Sequence, residues 1–129
     1  MKFSTSSASM DDRSPQSEPL TRSIRIRENH PDHSYYYTDG SKTVEGAGCS
    51  IVLDDIEPQV WSFKLPRDTE IFACEAFALL KAVEIACEKE KFLIFTDSKS
   101  VLAAICNHHS TNVLVKKIQN TLQEYEAGK

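Results

Sequence analysis

The order of apolar and polar positions predicts an α/β domain built around one buried strand. Phe92–Phe95 is a run of four apolar residues, too short for a free-standing helix and rich in aromatic and β-branched side chains. Such a run is typical of a strand buried on both faces in the parallel part of a sheet. Ser98 is a good N-cap for the helix predicted over 98–106. Asp97, between strand and helix, is therefore expected at the sheet edge where ligands bind in α/β folds.

Three earlier strands are predicted by alternating or β-prone residues. The first is Ser34–Thr38, the second runs from Gly46 to Leu53, and the third is Gln59–Leu65. Asp39–Lys42 has turn-forming composition, so we expect a turn there. Short connections make these strands an antiparallel meander.

Two longer helices complete the pattern, one from a cap at Asp68 or Thr69 to about Glu90 and one over Val113–Glu126. Glu75 falls among apolar neighbours on the first of these helices. A carboxylate in that position is costly unless a cation or a metal ion pairs with it. The alternative is that Glu75 lies at the edge of the apolar stripe and reaches solvent or a Lys or Arg side chain.

The predicted order is thus βββ-α-β-α-α, a mixed sheet with flanking helices. If the strands Ser34–Thr38 and Phe92–Thr96 are parallel neighbours, Asp39, Glu75 and Asp97 converge. Carboxylates without His or Cys suit Mg²⁺ or Mn²⁺. Phosphoryl transfer with two metal ions is the chemistry that uses such a site.

Composition limits the class of protein. The chain has 129 residues, 40% hydrophobic and 26% charged, which predicts one small domain over 33–129 after a disordered tail or linker over 1–32. The net charge of −4 argues against a strong free-standing nucleic-acid binder. Three arginines near the end of the tail indicate either a solvated lead-in or a basic arm on nucleic acid: Arg22, Arg25 and Arg27.

The sequence also predicts the protein's surroundings. It has no apolar stretch of the ~20 residues needed to span a bilayer and no apolar signal region, so we expect no membrane and a cytoplasmic or nuclear location. The four cysteines are widely spaced, which favours reduced thiols over a disulfide or zinc framework. His108 and His109 are expected to be exposed in a loop.

Three segments, in this order, resemble the first three motifs of type 1 ribonuclease H: Tyr37–Ser41, Glu75–Leu79 and Phe95–Leu102. The acids are separated by 36 residues (75 − 39) and 22 residues (97 − 75), which is similar to that family's spacing. The likeness covers about Tyr35 to Tyr125 and is greatest to the ribonuclease H domains of LINE-type (non-LTR) retrotransposons.

The resemblance implies an endonuclease that hydrolyses the RNA strand of RNA–DNA hybrids with two Mg²⁺ or Mn²⁺ ions. Asp39 would bridge both ions, Asp97 would share the ion that activates water, and Glu75 the ion beside the leaving 3′-oxygen. The predicted substrate-binding residues are Gly40, Ser41 and Ser98. Gly40, Ser41 and Glu75 would lie near RNA 2′-hydroxyl groups.

Departures from the family pattern limit this interpretation. The family's fourth carboxylate and a loop His belong to a closing strand and helix, and nothing like them follows Val113–Glu126. We therefore expect a C-terminally truncated domain of reduced activity. The outer edge of the strand Phe92–Thr96 would be open and could mediate self-association.

Other interpretations remain open. One is a non-catalytic module that binds nucleic acid or protein, a pseudo-nuclease remnant of a retrotransposon polyprotein. Another is a transposase or nuclease of the same broad fold acting on DNA, which the position of Glu75 between the two aspartates disfavours. The last is a soluble α/β domain whose three acids never meet.

Overall fold

A computed structural model describes residues 2–5, 27–89 and 91–128, residues 2–5 through their backbone pairing alone. Five strands form one mixed sheet in the order β1-β5-β2-β3-β4. The strands are β1 Lys2–Thr5, β2 Ser34–Thr43, β3 Gly46–Asp54, β4 Gln59–Leu65 and β5 Phe92–Thr96. The helices are α1 Ile71–Ala86, α2 Lys99–Ile105 and α3 Val113–Ala127.

The structure confirms the predicted meander and the central parallel pair. β2, β3 and β4 are antiparallel neighbours, and β2 is parallel to β5 with Ser34 opposite Phe92. All five residues of β5 are buried, as a strand with neighbours on both edges and packing on both faces should be. The predicted mixed α/β sheet is therefore correct.

The predicted turn at Asp39–Lys42 is wrong. These residues continue β2 and pair with β3, with Asp39 opposite Ser50 and Lys42 opposite Ala47. The chain reverses instead at residues 44 and 45. Turn-forming residues are tolerated in the strand because its extended backbone hydrogen bonds are supplied by β3.

The helices follow the predicted order, but the first one starts later than predicted and ends at Ala86 instead of about Glu90. Thr69 donates its backbone N–H to Pro66 in a turn, so α1 begins at Ile71 after Glu70 and not at a cap on Asp68 or Thr69. Ser98 does cap α2, because its side chain accepts a hydrogen bond from the backbone N–H of Val101.

The main core lies between the sheet and α1, with α3 packed on α1. Its buried members include Tyr36 and Ile51 from the sheet, Leu79 and Val83 from α1, and Ile118 from α3. Opposite this core, the sheet carries a smaller buried cluster of Tyr35, Leu93 and Phe95. Burial of apolar area on the main face fixes α1 across β2 and β3.

The N-terminal residues correct two further predictions. Lys2–Thr5 is not a tail, because it forms β1 and pairs in parallel with β5. The outer edge of β5 is therefore covered, and the predicted open edge is wrong. Residues 27–29 form a helical turn, and residues 6–26 of the predicted tail, including Arg22 and Arg25, lie outside the described residues.

Several smaller predictions are also resolved. Arg27 pairs with Asp54 at 3.0 Å, so it is not a free basic arm. All four cysteines are free thiols, and His108 and His109 are exposed. Within the ranges the structure describes, no helix combines the length and the apolar character needed to cross a bilayer.

Candidate active site

The central parallel pair brings Asp39 and Asp97 to equivalent positions. Tyr37 and Phe95 are register partners on β2 and β5, and each aspartate comes two residues later. The buried hydroxyl of Thr38 donates a 3.1 Å hydrogen bond to the carbonyl oxygen of Phe95, which ties the two strands together beside the acids. The register of two neighbouring parallel strands thus sets the spacing of the aspartates.

Glu75 joins them because α1 crosses β2 at a glycine. A Cβ atom added to Gly40 would lie 2.7 Å from the backbone nitrogen and 2.9 Å from the Cγ of Glu75. No side chain larger than hydrogen fits without moving α1, since ordinary contacts are at 3.4 Å or more. Gly40 therefore allows the half-buried Glu75 to lie directly against the strand that carries Asp39.

The electrostatics indicate that the three acids share one site. The pKa of Asp39 is raised above its usual range, first by burial of its carboxyl and then by the negative charges of Asp97 and Glu75. Asp39 as a whole residue is exposed, so this desolvation is partial. Within the described ranges, no Lys or Arg forms an ion pair with Glu75. The alternative that a basic side chain neutralises Glu75 is therefore not seen there.

The three carboxylates are chemically suited to a hard divalent cation, but they are not positioned to bind one ion together. A carboxylate whose pKa is raised by two neighbouring negative charges, as that of Asp39 is, is the type of group that Mg²⁺ or Mn²⁺ would stabilise. Among the residues that the structure describes, however, no three His, Cys, Asp or Glu side chains are positioned to hold one ion. Metal binding by Asp39, Glu75 and Asp97 stays a prediction.

The predicted substrate-binding residues differ in their surroundings. Ser41 is exposed on β2 and borders an open groove with Thr43, Gly48 and Lys64. Ser98 is buried, and its oxygen caps α2 while its backbone N–H bonds the hydroxyl of Thr96. Ser98 therefore has a structural role whatever its role toward substrate.

Two buried thiols lie behind the acids. Cys49 is the register partner of Gly40, and Cys74 immediately precedes Glu75. The pKa of Cys49 is raised to about 11, first by burial and then by Cys74 and Asp39. The Cys49 thiol is therefore protonated at neutral pH.

Sequence reasoning missed two cations beside the site. Lys42 follows the motif on β2 and donates to the carbonyl oxygen of Thr69 at 2.6 Å. Arg67 donates to the carbonyl oxygen of Val44 at 3.1 Å. Neither forms an ion pair with a carboxylate in the described part of the chain, so their positive charges are not neutralised there. The only signal in the sequence is their closeness to the motif and to the start of α1.

A mixed sheet with one aspartate on a central strand, another directly after the parallel neighbour of that strand, and a glutamate on the crossing helix defines a ribonuclease H-like domain. Comparison with known proteins agrees: the RNase H family model matches residues 31–127, and the chain belongs to that family. No curated protein gives a significant match.

Two solved structures illustrate the likeness of fold. RNase H1 from the halophilic archaeon Halobacterium salinarum NRC-1 is similar at a TM-score of 0.54 and 20% identity, over 74% of this chain and 78% of that chain. The foamy viral protease-reverse transcriptase, in complex with RNA/DNA hybrid, is similar at a TM-score of 0.52 and 21% identity. That match covers 70% of this chain and 16% of the viral chain.

Proposed function

We propose that this protein is a ribonuclease H-type endonuclease that hydrolyses the RNA strand of RNA–DNA hybrids with Mg²⁺ or Mn²⁺. The observation that carries the proposal is geometric: the parallel register of β2 and β5 brings Asp39 and Asp97 to equivalent positions, and Gly40 lets Glu75 lie against β2. The negative charges of Asp97 and Glu75 both raise the pKa of Asp39, which agrees with this arrangement. Such a group is stable at neutral pH when divalent cations neutralise it.

Each acid has a distinct task in this proposal. Asp39, next to both other acids, would contact two ions, while Asp97 and Glu75 would each contact one. Two bound ions would supply a clamp on the attacking and leaving oxygens of the phosphodiester. Glu75, Gly40 and the exposed Ser41 would lie along the RNA strand and meet its 2′-hydroxyl groups. The carboxylates would rotate toward the ions when they bind.

Lys42 and Arg67 support a nucleic-acid substrate. Lys42 follows Asp39 on β2, Arg67 contacts the turn that follows β2, and neither is paired with a carboxylate in the described residues. Phosphate groups attract such cations and release counterions on binding. We expect the double variant Lys42→Ala, Arg67→Ala to bind the hybrid more weakly. The slope of log binding constant against log salt concentration should become shallower by up to about two units, one for each lost phosphate contact.

Cleavage of strand-labelled substrates tests the proposal. Purified protein with Mg²⁺ or Mn²⁺ should cut the RNA strand of a hybrid and leave its DNA strand, duplex DNA and duplex RNA intact. Asp39→Asn, Glu75→Gln and Asp97→Asn should each abolish cutting. Glu84→Gln is the matched control, because Glu84 is an exposed carboxylate on the same helix as Glu75 and should be dispensable.

The same assay separates the alternative functions. Hybrid binding without cleavage in either metal would favour the non-catalytic module. Cleavage of duplex DNA would favour a DNA-acting relative of this fold. The motifs and their spacing further lead us to propose a LINE-type retrotransposon origin, for which an adjoining reverse transcriptase coding region in the parent gene would be the support.

A further inference from the structure

The N-terminal strand β1 pairs with the edge of β5 that faces away from β2. β1 lies at the sheet edge with β5 as its neighbour, and it pairs Lys2 with Leu93 through to Thr5 with Thr96. Thr96 is the residue immediately before Asp97. The pairing of β5 with β2 is registered only as far as Phe95. β1 therefore extends the ladder one residue closer to the acid than β2 does.

Other hydrogen bonds also hold the carboxyl end of β5, among them one from the backbone N–H of Lys99 to the carbonyl oxygen of Asp97. The Thr38 hydroxyl holds the carbonyl oxygen of Phe95, and the hydroxyl of Thr96 accepts from the backbone N–H of Ser98. The aspartate between these points is exposed. Because an unpaired edge lets a strand end fray, the backbone at Thr96 should be held more firmly when β1 is docked.

We infer that β1 is a positioning strand, which clamps the carboxyl end of β5 and so holds Asp97 in the site. Residues 2–5, distant in sequence from every motif, would then be needed for efficient reaction. The kinetic part of this inference rests on the proposed function, whereas the docking of β1 does not.

The geometry of an edge strand provides matched variants. Successive N–H groups of a strand point to opposite edges, and β1 has a strand neighbour on one edge. Of Phe3→Pro and Ser4→Pro, one therefore removes a hydrogen bond to β5 and the other removes an N–H that faces away. Phe3→Leu and Ser4→Thr keep both N–H groups and serve as conservative controls.

Amide hydrogen exchange in the full chain tests the docking. In β5, amides facing β2 and amides facing β1 alternate, so each serves as a reference for the other. The proline variant that removes the hydrogen bond to β5 should speed exchange of the β1-facing amides about fivefold, the factor expected from the net contribution of one hydrogen bond. The β2-facing amides should change little, and the melting temperature should fall by no more than about 8 °C. Equal exchange in both proline variants and the wild type would overturn the inference.

Kinetics and the Asp97 amide test the positioning. In the same proline variant, kcat for hybrid cleavage should fall about fivefold with KM unchanged, and the Asp97 amide signal should shift. Both conservative controls should match the wild type. Faster exchange with an unmoved Asp97 signal and unaltered kcat would mean that β1 docks but positions nothing. If the wild type cuts no hybrid, the proposed function fails, while exchange and the Asp97 signal still decide the role of β1.

Discussion

Substitution of Gly40 by alanine should disturb both the stability of the fold and the site. The new methyl group would lie 2.7 Å from the backbone nitrogen of Glu75 and 2.8 Å from the carbonyl carbon of Cys74. Both are backbone atoms, so no side-chain rotation relieves the contact. To reach an ordinary separation of 3.4 Å, the first two turns of α1 must retreat by about 0.7 Å.

The magnitudes follow from that displacement. Overpacking of this kind costs about 1–3 kcal/mol of unfolding free energy. Since Glu75 moves with the helix, hybrid cleavage should fall about tenfold to a hundredfold, the range for a catalytic group misplaced by less than an ångström. Urea unfolding and single-turnover cleavage under saturating substrate measure the two effects separately.

Two other glycines provide controls for this substitution. A Cβ on Gly48 would meet the carbonyl oxygen of Phe63 at 2.9 Å, away from the acids, whereas a Cβ on Gly46 would meet nothing within 4 Å. Gly48→Ala should therefore lower stability by about 1 kcal/mol with little loss of cleavage, and Gly46→Ala should change neither. A Gly40→Ala protein as stable and active as Gly46→Ala would refute the close packing of α1 on β2.

Three further substitutions test other features. The pKa of Asp39 is raised in the folded protein, so its ionisation lowers the free energy of unfolding above the raised pKa but not below the reference value of 3.8. Asp39→Asn should therefore raise the free energy of unfolding by roughly 0.2–1 kcal/mol at pH 7 and leave it unchanged at pH 3. The buried Tyr36 hydroxyl has no hydrogen-bond partner in the described structure, so Tyr36→Phe should raise stability by up to about 1 kcal/mol, and a lower melting temperature would contradict this. Ser98→Ala should cost about 1 kcal/mol in thermal unfolding through loss of the α2 cap, and Ser98→Thr much less.

Local patterns in the sequence predicted most of the sheet and helices. The apolar run Phe92–Phe95 predicted a strand buried on both faces, and the structure buries all of β5 between two neighbouring strands. The alternation in Gln59–Leu65 and the cap at Ser98 are likewise decided by residues within a few positions of each other. Such signals do not depend on distant parts of the chain, which is why they were predictable.

The errors arose where distant residues decide the structure. The residues Asp39–Lys42 have turn composition, yet they are extended because β3 pairs with them. β1 has four residues and no local pattern, and its pairing with β5 joins positions about ninety apart in the chain. Loop closure over that length cannot be read from composition. The meeting of Asp39 with Glu75 likewise depends on Gly40, whose close contact with α1 only the packed structure reveals.

The central claim is that Asp39, Glu75 and Asp97 bind one divalent metal centre. Titration of the ¹⁵N-labelled protein with substoichiometric Mn²⁺ tests it directly, because the paramagnetic ion broadens signals of nearby amides. We predict selective broadening of the amides at Asp39, Gly40, Glu75 and Asp97, lost in Asp39→Asn and displaced by excess Mg²⁺. Uniform broadening, or broadening centred on other surface carboxylates such as Asp55, would contradict the account.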